Sequence, residues 1–359
     1  MIKIFDCTLR DGGYVNDWFF SDEQVLACYN ADSLANVDYC EIGFKRTKNE
    51  NEMKKYGKWF FCDEEVINKV IPTKTNCKIA VMSQIGTFDI SDFIPKNKSK
   101  IDMVRVLLAY HGFNKCTDDK IDEESLNKGI LQMQQLIDLG YEVTFNIGRI
   151  DKLSDEQIDY ICDKIKNLKI LYLYLADTYS HLNIYDTRKK VAYIKNLLQN
   201  KYKTNIGLGF HAHNSMNDAT SKALIALEHG ADIIDGTMSG YGRGSGNAYL
   251  ELILINLNRE YKCKYNFEEI IKCSNIYFKN YKKYVNDCEY NLIYVICAFN
   301  GAHVNYAIEL IEKTNELDIN DILIIFQEIK NNHKNMFYYD DLIKNIIKNK
   351  NIKFINNLI

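Results

Sequence analysis

The order of short β-branched runs and longer amphipathic stretches constrains this chain more than any other feature of its sequence. Eight such runs follow one another: 2–7 (IKIFDC), 38–44 (DYCEIGF), 78–83 (KIAVMS), 103–109 (MVRVLLA), 142–147 (EVTFNI), 170–176 (ILYLYLA), 206–211 (IGLGFH) and 232–237 (DIIDGT). Between them lie helical patterns such as 21–37, opened by Ser21 with Glu23 close behind, and 122–140, closed by Gly140. These are helix start and stop signals. Strand–helix alternation produces parallel strands joined by crossover helices, and eight repeats match one barrel closing on itself. The expected fold class is α/β, a (β/α)8 TIM barrel over 1–262, with an open doubly wound sheet as its competitor. Past the eighth run the pattern turns helical. Residues 248–260 read as the eighth barrel helix and 263–359 as a helical C-terminal extension.

A length of 359 residues suits one large barrel with an appendage. The formal charge of −3, with acids and bases interspersed, gives no pull toward nucleic acid or an anionic membrane. No basic-then-apolar leader and no spanning apolar run is visible, so a cytoplasmic location is expected. The eleven cysteines include no CxxC pair, which favours free buried thiols in a reducing compartment. The amphipathic, basic tail from 341 to 359 is expected to dock on its own protein.

Barrels of this kind carry their chemistry at the C-terminal ends of the strands. There the sequence offers Arg10 and Asp11 after the first strand, Glu41, Lys45 and Arg46 on and after the second, and His111 after the fourth. The sixth strand leads to Asp177 and Thr178, the seventh to His211 and His213, and the eighth to the glycine-rich run Gly240 to Asn247. Residues i and i+2 of a strand share a face, so both imidazoles can reach one point in the barrel mouth. With the first-strand acid they make a two-histidine, one-carboxylate set that suits Zn, Mn, Fe, Co or Mg. Two histidines merely hydrogen-bonded in a polar strand end are the alternative.

The motifs DCTLRDGG, EIG, HAHN and GRGSGN, in this order and at these barrel positions, resemble the metal-dependent lyase and condensing-enzyme superfamily. Its members include isopropylmalate synthase, 3-hydroxy-3-methylglutaryl-CoA lyase and 4-hydroxy-2-oxovalerate aldolase. The likeness covers roughly 2–260 and is nearest to the aldolase-type branch. It implies a divalent cation (Mn, Zn, Co or Mg) on Asp11, His211 and His213, with Asn247 as a further ligand. It also implies a C–C lyase or carboligase that handles an α-keto acid such as pyruvate, with an aldehyde, through a metal-stabilised enolate. Arg10 would stabilise the enolate oxygen, and Glu41, Asp177 and Thr178 would line the pocket. A histidine stands three residues after the metal aspartate in the hydroxy-oxovalerate aldolases; here that position is Tyr14, which either relays protons or packs on substrate. His111, His181 and Glu41 are further proton carriers. Lys45, Gly244 and His303 are expected at the substrate.

A Claisen-type condensation of an acyl-CoA is the second enzymatic reading, and a non-catalytic barrel acting as a binding or channelling subunit is the reading from another class. A Schiff-base aldolase would need a desolvated lysine inside the barrel. The resemblance leaves open a homodimer or an aldehyde-processing partner enzyme.

Overall fold

The structure, a computed structural model, describes residues 2–109, 121–278, 292–311, 317–332, 337–350 and 352. Its eight strands are β1 (Lys3–Asp6), β2 (Tyr39–Phe44), β3 (Lys78–Gln84), β4 (Ile101–Leu108), β5 (Glu142–Ile147), β6 (Tyr172–Asp177), β7 (Gly207–Ala212) and β8 (Ile233–Gly236). Each pairs in parallel with the next, and β8 returns to β1 through the register Lys3↔Ile233 to Asp6↔Gly236. The closed barrel expected from the sequence forms, and the open sheet does not.

Strand parity sets what faces the axis. Phe5, Tyr39, Ala80, Met103, Tyr174 and Ile233 share an inner cluster at the floor of the barrel. Farther along the same strands, Glu41, Arg105 and Asp235 occupy the same face, two residues beyond Tyr39, Met103 and Ile233. The Arg105 guanidinium lies between the Phe5 and Tyr174 rings, 4.2 Å from each. The opposite faces carry aliphatic residues such as Ile4, Ile42, Val104 and Ile234 into the main core under the helices.

Strand β1 leads directly into a helix: residues Thr8–Asn16 form α1, separated from β1 only by Cys7. Two adjacent glycines cost a helix roughly 1 kcal/mol each relative to alanine. Packing overrides that cost. A Cβ on Gly12 would lie 2.0 Å from the Tyr241 ring, and one on Gly13 2.1 Å from that of Trp18. The tight seat draws α1 onto the mouth of the barrel.

Helix α2 (Asp22–Ala35) starts on the expected Ser21, whose hydroxyl accepts from the Gln24 N–H in a capping box. It covers a buried polar group: Asp6 at the end of β1, Cys28 and Asp32 on α2, and Cys40 of β2, with one donor atom of each within 4.8 Å of the others. Thr8 donates to Asp6 through both its N–H and its hydroxyl. Both oxygens of the fully buried Asp32 lack a hydrogen-bond partner. No cation pairs with either acid among the described residues. Burial raises Asp6 to about 6 and lifts Asp32 well above the usual range, with the neighbouring Asp6 adding to the latter.

The helix Phe267–Tyr277 packs beside α2 and buries Ile270 and Cys273 in the barrel core. Helices Leu292–Phe299, Val304–Ile311, Ile319–Asn331 and Leu342–Asn349 build a separate core around Tyr306, Leu310, Phe326 and Ile343. The described cysteines are free thiols, and all but Cys263 are buried. No helix among the described residues is long and apolar enough to cross a membrane.

The Asp6–Asp32 pair makes a signed prediction. Both groups hold protons in the folded state at pH values where the unfolded chain has released them. Their stabilising effect is therefore complete below the unfolded carboxyl range, near pH 4, and is lost as pH rises through the folded value of about 6 for Asp6. A two-unit shift corresponds to about 3 kcal/mol. Asp32→Asn, which removes one of the two ionisations, should raise Tm relative to the parent at pH 8 and leave the two alike at pH 4. Calorimetry at both pH values checks this, and a pH-independent difference would refute the raised ionisation of the buried acids.

Candidate metal centre

Asp11 sits in the first turn of α1, while His211 and His213 alternate along β7 and its exit. All three are buried, and one potential ligand atom of each lies within 4.8 Å of the others. The two imidazoles stand nearly perpendicular, with centroids 5.0 Å apart, and His213 Nδ1 is 4.0 Å from Asp11 Oδ2. The sequence expectation that these three side chains meet at one point is met in the geometry.

Their electrostatics fit a divalent cation. Burial disfavours charge on Asp11, yet Arg10 and the two imidazoles hold its carboxyl well below the usual range, so it is ionised. Burial pushes His213 down to about 3, which leaves a neutral ring with a lone pair to give. His211 Nδ1 is held by Asp235 Oδ2 at 2.9 Å, which leaves Nε2 for a cation. This is the carboxylate–histidine arrangement that orients metal ligands. Asn247 donates its amide N–H to Asp11 Oδ2, while its own Oδ1 is buried without a hydrogen-bond partner among the described residues. An orphaned acceptor of that kind is one a cation satisfies. Gly242 lets the loop after β8 close on this group, since a Cβ there would lie 2.6 Å from Asp11 Oδ2 and 2.0 Å from Asn247 Nδ2.

A chain of alternating charges runs beneath the ligands. Arg10 Nη1 pairs with Asp11, and Arg10 Nε with Glu41 Oε2 at 2.8 Å. Glu41 Oε2 also receives Arg105 Nη1 at 3.1 Å, and Arg105 Nη2 reaches Asp235 Oδ2 at 2.8 Å. Asp235 then returns to His211. Three carboxylates against two guanidiniums leave the ring one negative charge, which a divalent cation would convert to one positive charge.

A cavity of about 180 Å³ opens above this group. Arg10, Asp11, Tyr14, Thr178, His211 and His213 line it, as do Arg105 and Asn146 below and Gln84 and Arg243 at the sides. Tyr14 is 43% exposed at the rim, packed edge-on against Trp18 and Phe44. Among the described residues no lysine lines the cavity, which counts against a Schiff-base site.

Other expected residues lie elsewhere. Glu41 supports Arg10 from below and does not line the cavity. Lys45 lies outside it, its ammonium bonded to the Cys62 carbonyl at 3.1 Å. The cause is an irregularity in the β2–β3 register between Glu41 and Phe44, which breaks the alternation that would have aimed Lys45 inward. Asp177 is outward because its neighbours Ala176 and Thr178 are inward; it pairs with Lys222 at 2.6 Å. Gly244, with φ of +63°, faces Val304 and Tyr294 of the extension. His303 is buried behind Arg243, and His181 meets the Ala298 carbonyl. His111 lies outside the described residues. Arg105 and Asp235 were missed, although a charge at an inward position of an otherwise apolar strand is a legible sign of a buried pair.

The chain is similar to known proteins over most of its length. The family model described as HMGL-like matches residues 1–277. A protein named 4-hydroxy-2-oxovalerate aldolase from Pelotomaculum thermopropionicum is 27% identical over 258 residues, 72% of this chain and 70% of its own length. One named oxaloacetate decarboxylase from Mycobacterium tuberculosis is 23% identical over 261 residues, 71% of this chain and 70% of its own length. The crystal structure of the N-terminal domain of a Bacteroides vulgatus protein described as a candidate aldolase superposes with a TM-score of 0.68 at 23% identity. It covers 86% of this chain and 96% of that one.

Replacing Asp235 with Asn removes the carboxylate that orients His211 and should weaken metal affinity about 10–100-fold. Competition with a chromophoric chelator measures this, and unchanged affinity would mean that Asp235 serves only Arg105.

Proposed function

The chain belongs to the HMGL-like family, and from that premise we propose that it is a divalent-metal-dependent carbon–carbon lyase of the aldolase type. Its substrate in this reading is an α-keto acid that passes through the enolate of pyruvate, in the direction of retro-aldol cleavage or of addition to an aldehyde. The observation that carries the reading is the convergence of Asp11, His211 and His213 beside Arg10 in one small cavity. A relative named as an aldolase and one named as a decarboxylase support it. Aldol cleavage of a 4-hydroxy-2-oxo acid and loss of the distal carboxyl of oxaloacetate both leave the same enolate.

Asp11, His211 and His213, with Asn247 at the side, would hold the cation. When bound, such a cation supplies Lewis-acid polarisation of a keto oxygen and stabilises the negative charge that develops there. Arg10 is fixed for the same task. Glu41 and Asp11 engage its Nε and Nη1, so among the described residues its Nη2 is the arm left to donate into the cavity. A buried guanidinium held by two carboxylates costs no reorganisation as charge develops. Its own charge is secure: burial opposes it, but Glu41 and Asp11 keep its pKa well above the ordinary value. Thr178 and Gln84 are neutral polar groups of the lining that would orient a carboxylate across the cavity. Tyr14, at the rim, has the position for proton exchange between the nascent product and solvent.

Deuterium incorporation into the methyl group of pyruvate, followed by NMR in D2O, reads the first half-reaction without an acceptor. Exchange should require added divalent metal. Arg10→Met should slow it about 10²–10³-fold, the range for loss of one oxyanion donor. Exchange that persists at full rate in chelator-treated protein, or in the Arg10 variant, would remove the proposal.

A further inference from the structure

We infer that the mouth contains an anion-binding subsite built on Arg243, so that the substrate is an α-keto acid carrying a second anionic group at its far end. The orientation of that substrate rests on the reading above; the subsite rests on observations of its own.

Arg243 follows β8 in the glycine-rich loop and lines the same cavity as the three candidate ligands. Its backbone N–H donates to Asp11 Oδ2 at 3.3 Å, which fixes its Cα beside the metal centre. Its guanidinium lies over the Tyr14 ring, 5.2 Å from the centroid. Nη2 donates to Asn305 Oδ1 at 2.7 Å and lies 3.3 Å from His303 Nε2. Both supports belong to the C-terminal extension, and His303 is only 1% exposed.

The partners' charges decide the argument. Arg10, Arg105 and Arg149, the buried arginines of the barrel, are each neutralised by carboxylates. Among the described residues Arg243 has none; the Asn305 amide oxygen accepts from it, and the His303 ring stands beside it. A half-buried guanidinium, pre-oriented by an amide oxygen and facing a cavity, is suited to take an anion in its fork. The sum of charges agrees. With a divalent cation the ligand ring carries one positive charge, and Arg243 adds another, which matches a dianion with one charge near Arg10 and one at the loop after β8. At about 180 Å³ the cavity is small enough to hold both ends of such a molecule at once.

Isothermal titration of the Mn²⁺-loaded protein tests this with chain-matched keto acids. 2-Oxoglutarate is compared with 2-oxopentanoate and 2-oxoadipate with 2-oxohexanoate, and a third arm ends in phosphonate. The distal anion should tighten binding at least about tenfold, the scale of one charged hydrogen-bonded contact. Preference for carboxylate or for phosphonate identifies the source of the charge, and either supports the subsite. Arg243→Met should abolish the preference and Arg243→Lys should retain part of it. Asn305→Asp, which keeps the acceptor but supplies an internal carboxylate, should also collapse it; a merely structural Asn305 would leave it unmoved. Equal affinity for neutral and anionic ends in the parent protein overturns the subsite. Wild-type pyruvate exchange separates the two readings: exchange without distal preference removes the subsite alone, and distal preference without exchange removes the enolate reading alone.

Discussion

The interior of this barrel is organised by a chain of charges that begins and ends on metal-ligand candidates: Asp11, Arg10, Glu41, Arg105, Asp235, His211. Burying such groups costs several kcal/mol per ion before their mutual attraction is counted. The cost is offset only when every member has its partner in place, so no member can move alone. Glu41 and Asp235 each serve two cations or a cation and an imidazole. That sharing holds α1 and β7, which are far apart in sequence, at a fixed separation across the mouth.

The surroundings work to the same end. Gly12 and Gly13 seat α1 against Tyr241 and Trp18, and Gly242 allows the loop after β8 to touch Asp11. The first and last strands of the barrel are neighbours through closure, so the two segments that frame the candidate metal centre meet although more than two hundred residues separate them. The short motifs at the first, second, seventh and eighth strands of this chain stand where one closed ring brings them together.

Most of this was legible in the sequence, and the gaps have physical causes. All eight strands fall within one or two residues of their expected positions, because β-branched runs bounded by polar turns report the strand period directly. The histidine pair was legible because i and i+2 share a face. Asp177 and Thr178 were taken together, but adjacent strand residues cannot face the same way, and only Thr178 reaches the cavity. Lys45 was lost to a register irregularity that no composition signal announces. Arg105 and Asp235 escaped because attention fell on strand ends, while these two act from the middle of the barrel. The contact of Arg243 with His303 and Asn305 spans about sixty residues, and nothing local encodes it.

The helices from Leu292 to Asn349 have an apolar core apart from that of the barrel, yet they grip the site through the side chain of Arg243 and through Val304 against Gly244. Elements joined through a shared arginine are thermodynamically linked. Whatever strengthens the guanidinium's hold on a ligand also favours the folded extension, and by reciprocity the order of the extension sets part of the ligand's affinity. Local melting of these C-terminal helices would therefore loosen Arg243 as a dimmer does, while leaving Asp11, His211 and His213 in place.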